Sequence, residues 1–123
     1  MKNNWMDYDN EQVDENTVLS YFENKSVLDH YEEAARKVGL WASEEIVFRH
    51  CFPKYSTKLL ELGCGVGRIS FSLWMLGYNN LTASDVSKKM VDRASKIQLE
   101  RRSMINFVKE DATNLSFASN MYD

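Results

Sequence analysis

Only two cysteines, Cys51 and Cys64, occur in the 123 residues, too few for a disulfide framework. Neither sits in a CxxC pair or beside histidine at ligand spacing, so a structural zinc has no ligand set and no metal site is expected. A reducing cytoplasm is the simplest setting for such a chain. Excess positive charge is also lacking: fifteen Lys and Arg against eighteen Asp and Glu leave a net charge of -3. Without a broad positive field, nucleic acid is not an expected partner. Long apolar runs are missing too. Met1 to Asn10 has no apolar core of the signal-peptide kind, and the longest uncharged stretch, Ile69 to Ser84, is broken by Gly77, Asn79 and Asn80. The sequence therefore reads as soluble and intracellular, with no membrane partner. Neither a repeat nor a low-complexity tract is visible. What is present is 44% hydrophobic and 12% aromatic residues, enough for the core of one globular domain.

The charge is unevenly placed, with one lysine against six acids over residues 1–24 and fourteen bases against twelve acids over residues 25–123. Residues 1–24 are read as an acidic N-terminal arm, mobile or ordering over a ligand or partner, with a helical turn possible over 17–24. The body begins with Ser26 as the expected cap of an amphipathic helix carrying Val27, Tyr31, Ala34 or Ala35, and Val38, and stopping at Gly39. Ser43 is the expected cap of a second helix, with Ile46, Val47 and His50, that ends before Pro53. The texture then changes. Lys58 to Leu62 is a short apolar strand running straight into Gly63, Gly65 and Gly67. A helix through Ile69, Phe71, Leu73, Trp74 and Leu76 ends at Gly77, and a second strand covers Leu81 to Ser84. Ser87 caps a third helix with a stripe of Met90, Val91, Ala94 and Ile97, and Ile105 to Val108 is a third strand. Strand, helix, strand, helix, strand implies an α/β fold with a parallel sheet in the order 3-2-1 behind two N-terminal helices.

The chemistry is carried by Glu61-Leu62-Gly63-Cys64-Gly65-Val66-Gly67, a strand-to-helix turn whose glycines let a polar ligand sit against bare backbone near a helix N-terminus. Its spacing is GxGxG, with Arg68 where the dinucleotide pattern needs glycine, which disfavours a dinucleotide oxidoreductase. No Gly-Lys-Ser/Thr follows, which excludes a phosphate loop. Asp85 stands at the tip of the second strand, where a carboxylate can accept both hydroxyls of a ribose diol, and Asp111 follows the third strand. A bare structural turn, an Asp85 that only precedes a capped helix, and an Asp111 that only closes an Asx-turn with Thr113 are the plainer alternatives. Their joint placement at successive strand tips argues for a site.

These three segments, Leu59 to Gly67 (LLELGCGVG), Ser84 to Ser87 (SDVS) with Met90, and Glu110 to Leu115 (EDATNL), together resemble the class I S-adenosylmethionine-dependent methyltransferases. Their order and spacing match over about residues 25–123. The resemblance implies a Rossmann-like sheet and S-adenosylmethionine as cofactor, with S-adenosylhomocysteine as product. It also implies Gly63, Cys64, Gly65 and Gly67 in the loop holding the amino-acid part, with Glu61 near its amine. Asp85 would take the ribose hydroxyls, Val86 and Met90 would flank the adenine, and Asp111 and Ala112 would read its edge. Tyr31 and the segment Gly39 to Glu44 resemble the family's lead-in helices. No catalytic base can be named. The acceptor is expected to be a small molecule, and the alternative is a non-catalytic cofactor-binding or interaction module. Residues 25–123 are read as the N-terminal portion of a single methyltransferase domain. Asn120 to Asp123 resembles the lead-in to the family's fourth strand, so four of the usual seven strands would lie beyond this sequence. The first strand is then an open edge, and self-association through it is expected.

His30 and His50 have no partners at ligand spacing and are assigned no role. Cys64 is read as a small residue beside the cofactor rather than a nucleophile, and Tyr31, Trp41 and Trp74 as packing residues, with Tyr31 also placed to cover the site.

Overall fold

The computed structural model describes residues 14–123. Asp14 opens helix α1 (Glu15–Phe22), its carboxylate accepting the Thr17 N–H at 2.7 Å, which satisfies one of the first-turn donors left open by helix geometry. The arm expected over residues 1–24 is thus helical at its end, and its residues 1–13 lie outside the described residues. Helix α2 (Lys25–Lys37) follows at once. Its cap is Asn24, not the expected Ser26: the chain is already extended at Asn24, whose side chain accepts the Ser26 N–H at 3.0 Å and the Ser26 hydroxyl at 2.7 Å. The buried face also differs from expectation. Leu28 and Ala35, two helical turns apart, enter the core, while Tyr31 and Val38 are exposed.

Helix α3 (Ala42–Cys51) starts two residues earlier than the Ser43 cap would allow, because Glu44 reaches back to the Trp41 N–H at 2.8 Å. Trp41, expected to pack, is exposed at that turn, and so are Ile46 and Val47. Phe48 and Phe52 pack on the core instead. The helix ends before Pro53 as its ring chemistry requires. Its last carbonyls are held by Tyr78, a fully buried ring whose hydroxyl donates to Phe52 O at 2.6 Å.

The sheet has the expected order. Strand β1 (Leu59–Leu62) pairs with β2 (Leu81–Asp85) in parallel, Leu59 opposite Leu81, and β2 pairs with β3 (Asn106–Lys109) in parallel, Thr82 opposite Asn106. Helices α4 (Arg68–Leu76) and α5 (Lys88–Arg101) make the crossovers. Leu81 to Ser84 of the central strand are all buried, as a strand covered on both faces must be. Core packing joins Leu59, Val66, Phe71, Leu73, Ala83, Met90, Ile97 and Ile105. Helix α2 is tied to α5 by Arg93 reaching Glu32 at 3.0 Å and by Arg36 reaching Glu100 at 2.7 Å. No described helix is long and apolar enough to cross a membrane.

Among the described residues β1 has a partner strand on one side only. On its other side Asp123 meets the start of the strand. Its N–H donates to Lys58 O at 2.9 Å, and its carboxylate accepts the Lys58 N–H at 2.8 Å.

Candidate functional site

In a parallel sheet the loops that follow the strands gather at one edge, and a crevice forms outside the carboxyl ends. Here that crevice is a cavity of about 610 Å³, within the roughly 300–1,000 Å³ usual for small-molecule sites. Gly63 and Gly65 come from the β1–α4 turn, Ser84 to Ser87 and Met90 from the end of β2, and Glu110, Asp111 and Ala112 from the end of β3. The opposite wall is α1, through Glu15, Asn16, Val18, Leu19 and Phe22, with Tyr31 beside it.

Asp85 holds the centre. Its Oδ2 accepts the Gly65 N–H at 2.8 Å and its Oδ1 accepts the Ser87 N–H at 2.9 Å. Each oxygen has one backbone partner, so lone-pair capacity remains on both for a vicinal diol. The Gly65 bond requires φ of +54° and leaves the ring of Tyr31 at 3.9 Å from where a Cβ would stand. A side chain there would be strained and would enter the cavity. Over Gly63 nothing lies within 4 Å of a Cβ position, an open cradle of bare backbone.

Three of the expected contact residues are not on the cavity wall. Cys64 is buried, its N–H donates to Ser84 O at 2.8 Å and its carbonyl accepts the Gly67 N–H at 2.9 Å, so its backbone is consumed in building the turn. Burial, reinforced by the charges of Glu61 and Asp85, pushes its thiol far up, which fits the reading that it is no nucleophile. Gly67, at φ +92°, is a packing position: a Cβ would meet Phe71 at 2.9 Å and Phe107 at 3.1 Å. Glu61 lies beneath the loop rather than on the cavity wall. It accepts the Ser70 hydroxyl, and burial raises its carboxyl above the ordinary range.

Two further carboxylates on the wall, Asp111 and Glu110, are favoured in the charged form. Asp111 accepts the Thr113 hydroxyl at 2.7 Å and N–H at 2.8 Å, the Asx-turn, and Glu110 accepts the Ser116 hydroxyl and its N–H; these bonds lower both carboxyls. With Glu15 and Asp85, every charged residue lining the cavity is acidic.

Sequence reasoning gave α1 only as a helical turn in an arm able to order over a ligand, and named none of its lining residues. Its signal was present: Asp14 as cap, then Val18, Leu19 and Phe22 at helical spacing on one face.

The geometry is that of a nucleotide-type cofactor site on a Rossmann-like sheet, and comparison with known proteins names the class. Residues 59–123 match the family model described as a methyltransferase domain, more than half of the chain, and the chain belongs to that family. Its S-adenosylmethionine-dependent members are the class I methyltransferases, whose fold this sheet and its helices share. The eEF1A lysine and N-terminal methyltransferase of Danio rerio is 34% identical over 73 residues, covering 59% of this chain and 11% of the relative. The chain thus spans about a tenth of the length of the curated relatives it matches. Among solved structures, the PH0226 protein of Pyrococcus horikoshii OT3 is 26% identical, with a TM-score of 0.60, covering 85% of this chain and 48% of that one. Magnesium protoporphyrin IX methyltransferase of Synechocystis PCC 6803, solved with bound S-adenosylhomocysteine, shares the fold at 22% identity and a TM-score of 0.62, covering 84% and 54%.

S-adenosylmethionine is the cofactor of this class, and the residues present fit it. A carboxylate with acceptor capacity to spare, an open glycine cradle, the apolar pair Val86 and Met90, and an acidic lining all face one cavity.

Proposed function

We propose that this chain binds S-adenosylmethionine across the three strand tips and belongs to an enzyme that transfers its methyl group to a nucleophile. The observation that carries the reading is the bridging of Gly65 and Ser87 by Asp85, which sets one carboxylate between the glycine turn and the next helix with both oxygens still able to accept. Asp85 takes the ribose hydroxyls. Gly63 and Gly65 offer backbone to the amino-acid part, with Glu61 acting beneath the loop on its amine through charge. Val86 and Met90 flank the adenine, and Asp111 and Ala112 read its edge. Cys64 and Gly67 shape the turn.

When bound, the cofactor supplies a methyl group already activated on a sulfonium. What these residues add is orientation and exclusion of water: the apolar side chains of α1 close the wall against solvent, and the acidic lining favours a positive ligand. Titration with S-adenosylhomocysteine should give saturable heat, and titration with NADH none. The reverse would assign the site to hydride chemistry.

For the acceptor, the names of the curated relatives favour a protein amine over the small molecule expected from the sequence. Labelled methyl from S-adenosylmethionine, incubated with the protein and a cell extract, should enter the protein fraction. Label confined to small molecules would restore the earlier expectation, and saturable binding with no transfer in either fraction would favour the non-catalytic module. Two free cysteines, one of them exposed, suit a reducing cytoplasm.

A further inference from the structure

Helix α1 walls the cavity, yet none of its residues is buried, and eight residues are too few to hold a helix without tertiary support. Its fastening lies at its C-terminal end. Phe22 meets Tyr31 edge-on at 6.1 Å between ring centres, and Glu23, the residue that ends the helix, reaches across to the loop after β2. There its Oε1 accepts the Ser87 hydroxyl at 3.1 Å. Lys89 approaches the same residue, its Nζ lying 3.7 Å from the other carboxylate oxygen and 3.4 Å from the carbonyl.

Ser87 is only 1% exposed, and its few polar groups are fully committed. The single hydroxyl proton goes to Glu23. The hydroxyl oxygen accepts the Met90 N–H at 3.2 Å and so caps α5, while the Ser87 N–H goes to Asp85 Oδ1. An unbroken path therefore runs from the end of α1 through Ser87 and Asp85 to the N–H of Gly65. Glu23 thus holds the Ser87 side chain while the Ser87 N–H holds Asp85 Oδ1, so the end of α1 and the Asp85 carboxylate are fastened through one residue.

We propose that Glu23 is a positioning residue for the cofactor site: it docks the end of α1 on the Asp85–Ser87 turn, so that closing the wall and fixing the Asp85 carboxylate are one event. This rests on the cofactor reading given above. A Glu23→Gln side chain keeps an oxygen to accept the Ser87 hydroxyl and loses only the charge facing Lys89, whereas Glu23→Ala leaves a buried donor without its partner.

The test is titration of the 123-residue chain with S-adenosylhomocysteine, with amide exchange over α1 followed with and without it. Glu23→Ala should weaken binding about tenfold and Glu23→Gln less than about threefold, the scale of one hydrogen bond to a charged acceptor. Ligand should protect the α1 amides in the native protein and in Glu23→Gln, and not in Glu23→Ala. Lys89→Met should bind like the native protein. The proposal is overturned if Glu23→Ala retains native affinity, if its α1 amides still gain protection, or if Lys89→Met reproduces its loss. A native protein that binds no S-adenosylhomocysteine fails at the first titration; that result sinks the cofactor reading, and this proposal with it.

Discussion

Asp85 and Glu61 are carboxylates 24 residues apart in sequence whose surroundings set them to opposite tasks. Asp85 faces the cavity with its oxygens steadied by two backbone donors, so Asp85→Ala removes a charged acceptor and should weaken S-adenosylhomocysteine binding by about 1–3 kcal/mol. Unchanged affinity would remove Asp85 from the site. Gly65→Val should be worse, because it adds backbone strain at positive φ and fills ligand space at once. Glu61 is different: burial raises its carboxyl, which means the folded chain disfavours the charge that the unfolded chain carries freely. That penalty is absent below the unfolded value and grows as pH rises through the folded one. Glu61→Gln keeps an acceptor for Ser70 and should melt higher than the native protein at neutral pH, with the gap closing in acid. A lower melting temperature at pH 7 would show that the charge is needed for folding.

At the scale of elements, the strands and the two crossover helices were legible because their signals are redundant. Ser87 was readable as a cap, Gly67 and Gly77 as the limits of α4, and the apolar runs as buried strands, and each agreed with its neighbours. The N-terminal helices were less legible because competing caps stand two residues apart. Asn24 wins over Ser26, and Glu44 defines the start of α3 from inside the helix, leaving Ser43 with no cap to make. The helical face failed for a related reason: Ile46 and Val47 look like core by hydropathy, but the sheet's position turns Phe48 inward. The role of α1 was legible only as an arm able to order over a ligand, since which helix closes a cavity depends on where distant strands end. Glu44 also makes the tie between α3 and α4. Arg68 grips it at 2.8 and 3.0 Å and holds its carboxyl down at about 2, with the side chains 28% and 26% exposed. A lowered carboxyl stabilises the fold above its unfolded value and loses that contribution as pH falls towards the folded one. Stability should therefore drop by on the order of 1 kcal/mol between about pH 4.5 and pH 2. Thermal melts of Glu44→Gln should lack this part of the acid limb, and an identical limb would assign it to other carboxylates.

For the whole molecule, the feature to test in solution is the side of β1 that has no partner strand among the described residues. The backbone N–H and C=O groups of Lys58, Leu60 and Leu62 point away from β2, and among the described residues only those of Lys58 meet a partner there, in Asp123. An edge of unpaired N–H and C=O groups recruits backbone from elsewhere. Light scattering of the 123-residue chain at micromolar concentration should show association, with Leu60 and Leu62 amides protected as it proceeds. A monodisperse monomer with freely exchanging amides at those positions would refute this.

Tyr78 sets a limit of another kind. Burial raises its phenol above the ordinary value near 10, so the folded state keeps the hydroxyl protonated while an unfolded chain would ionise. That preference is intact below the unfolded value and is lost as pH climbs through the folded one. Ionisation also deletes the proton that Phe52 O receives, which removes one of the ties between α3 and the body of the fold. Tyr78 thus contributes to the alkaline limit of the fold, and an ultraviolet titration should see it as one of the six tyrosines ionising late.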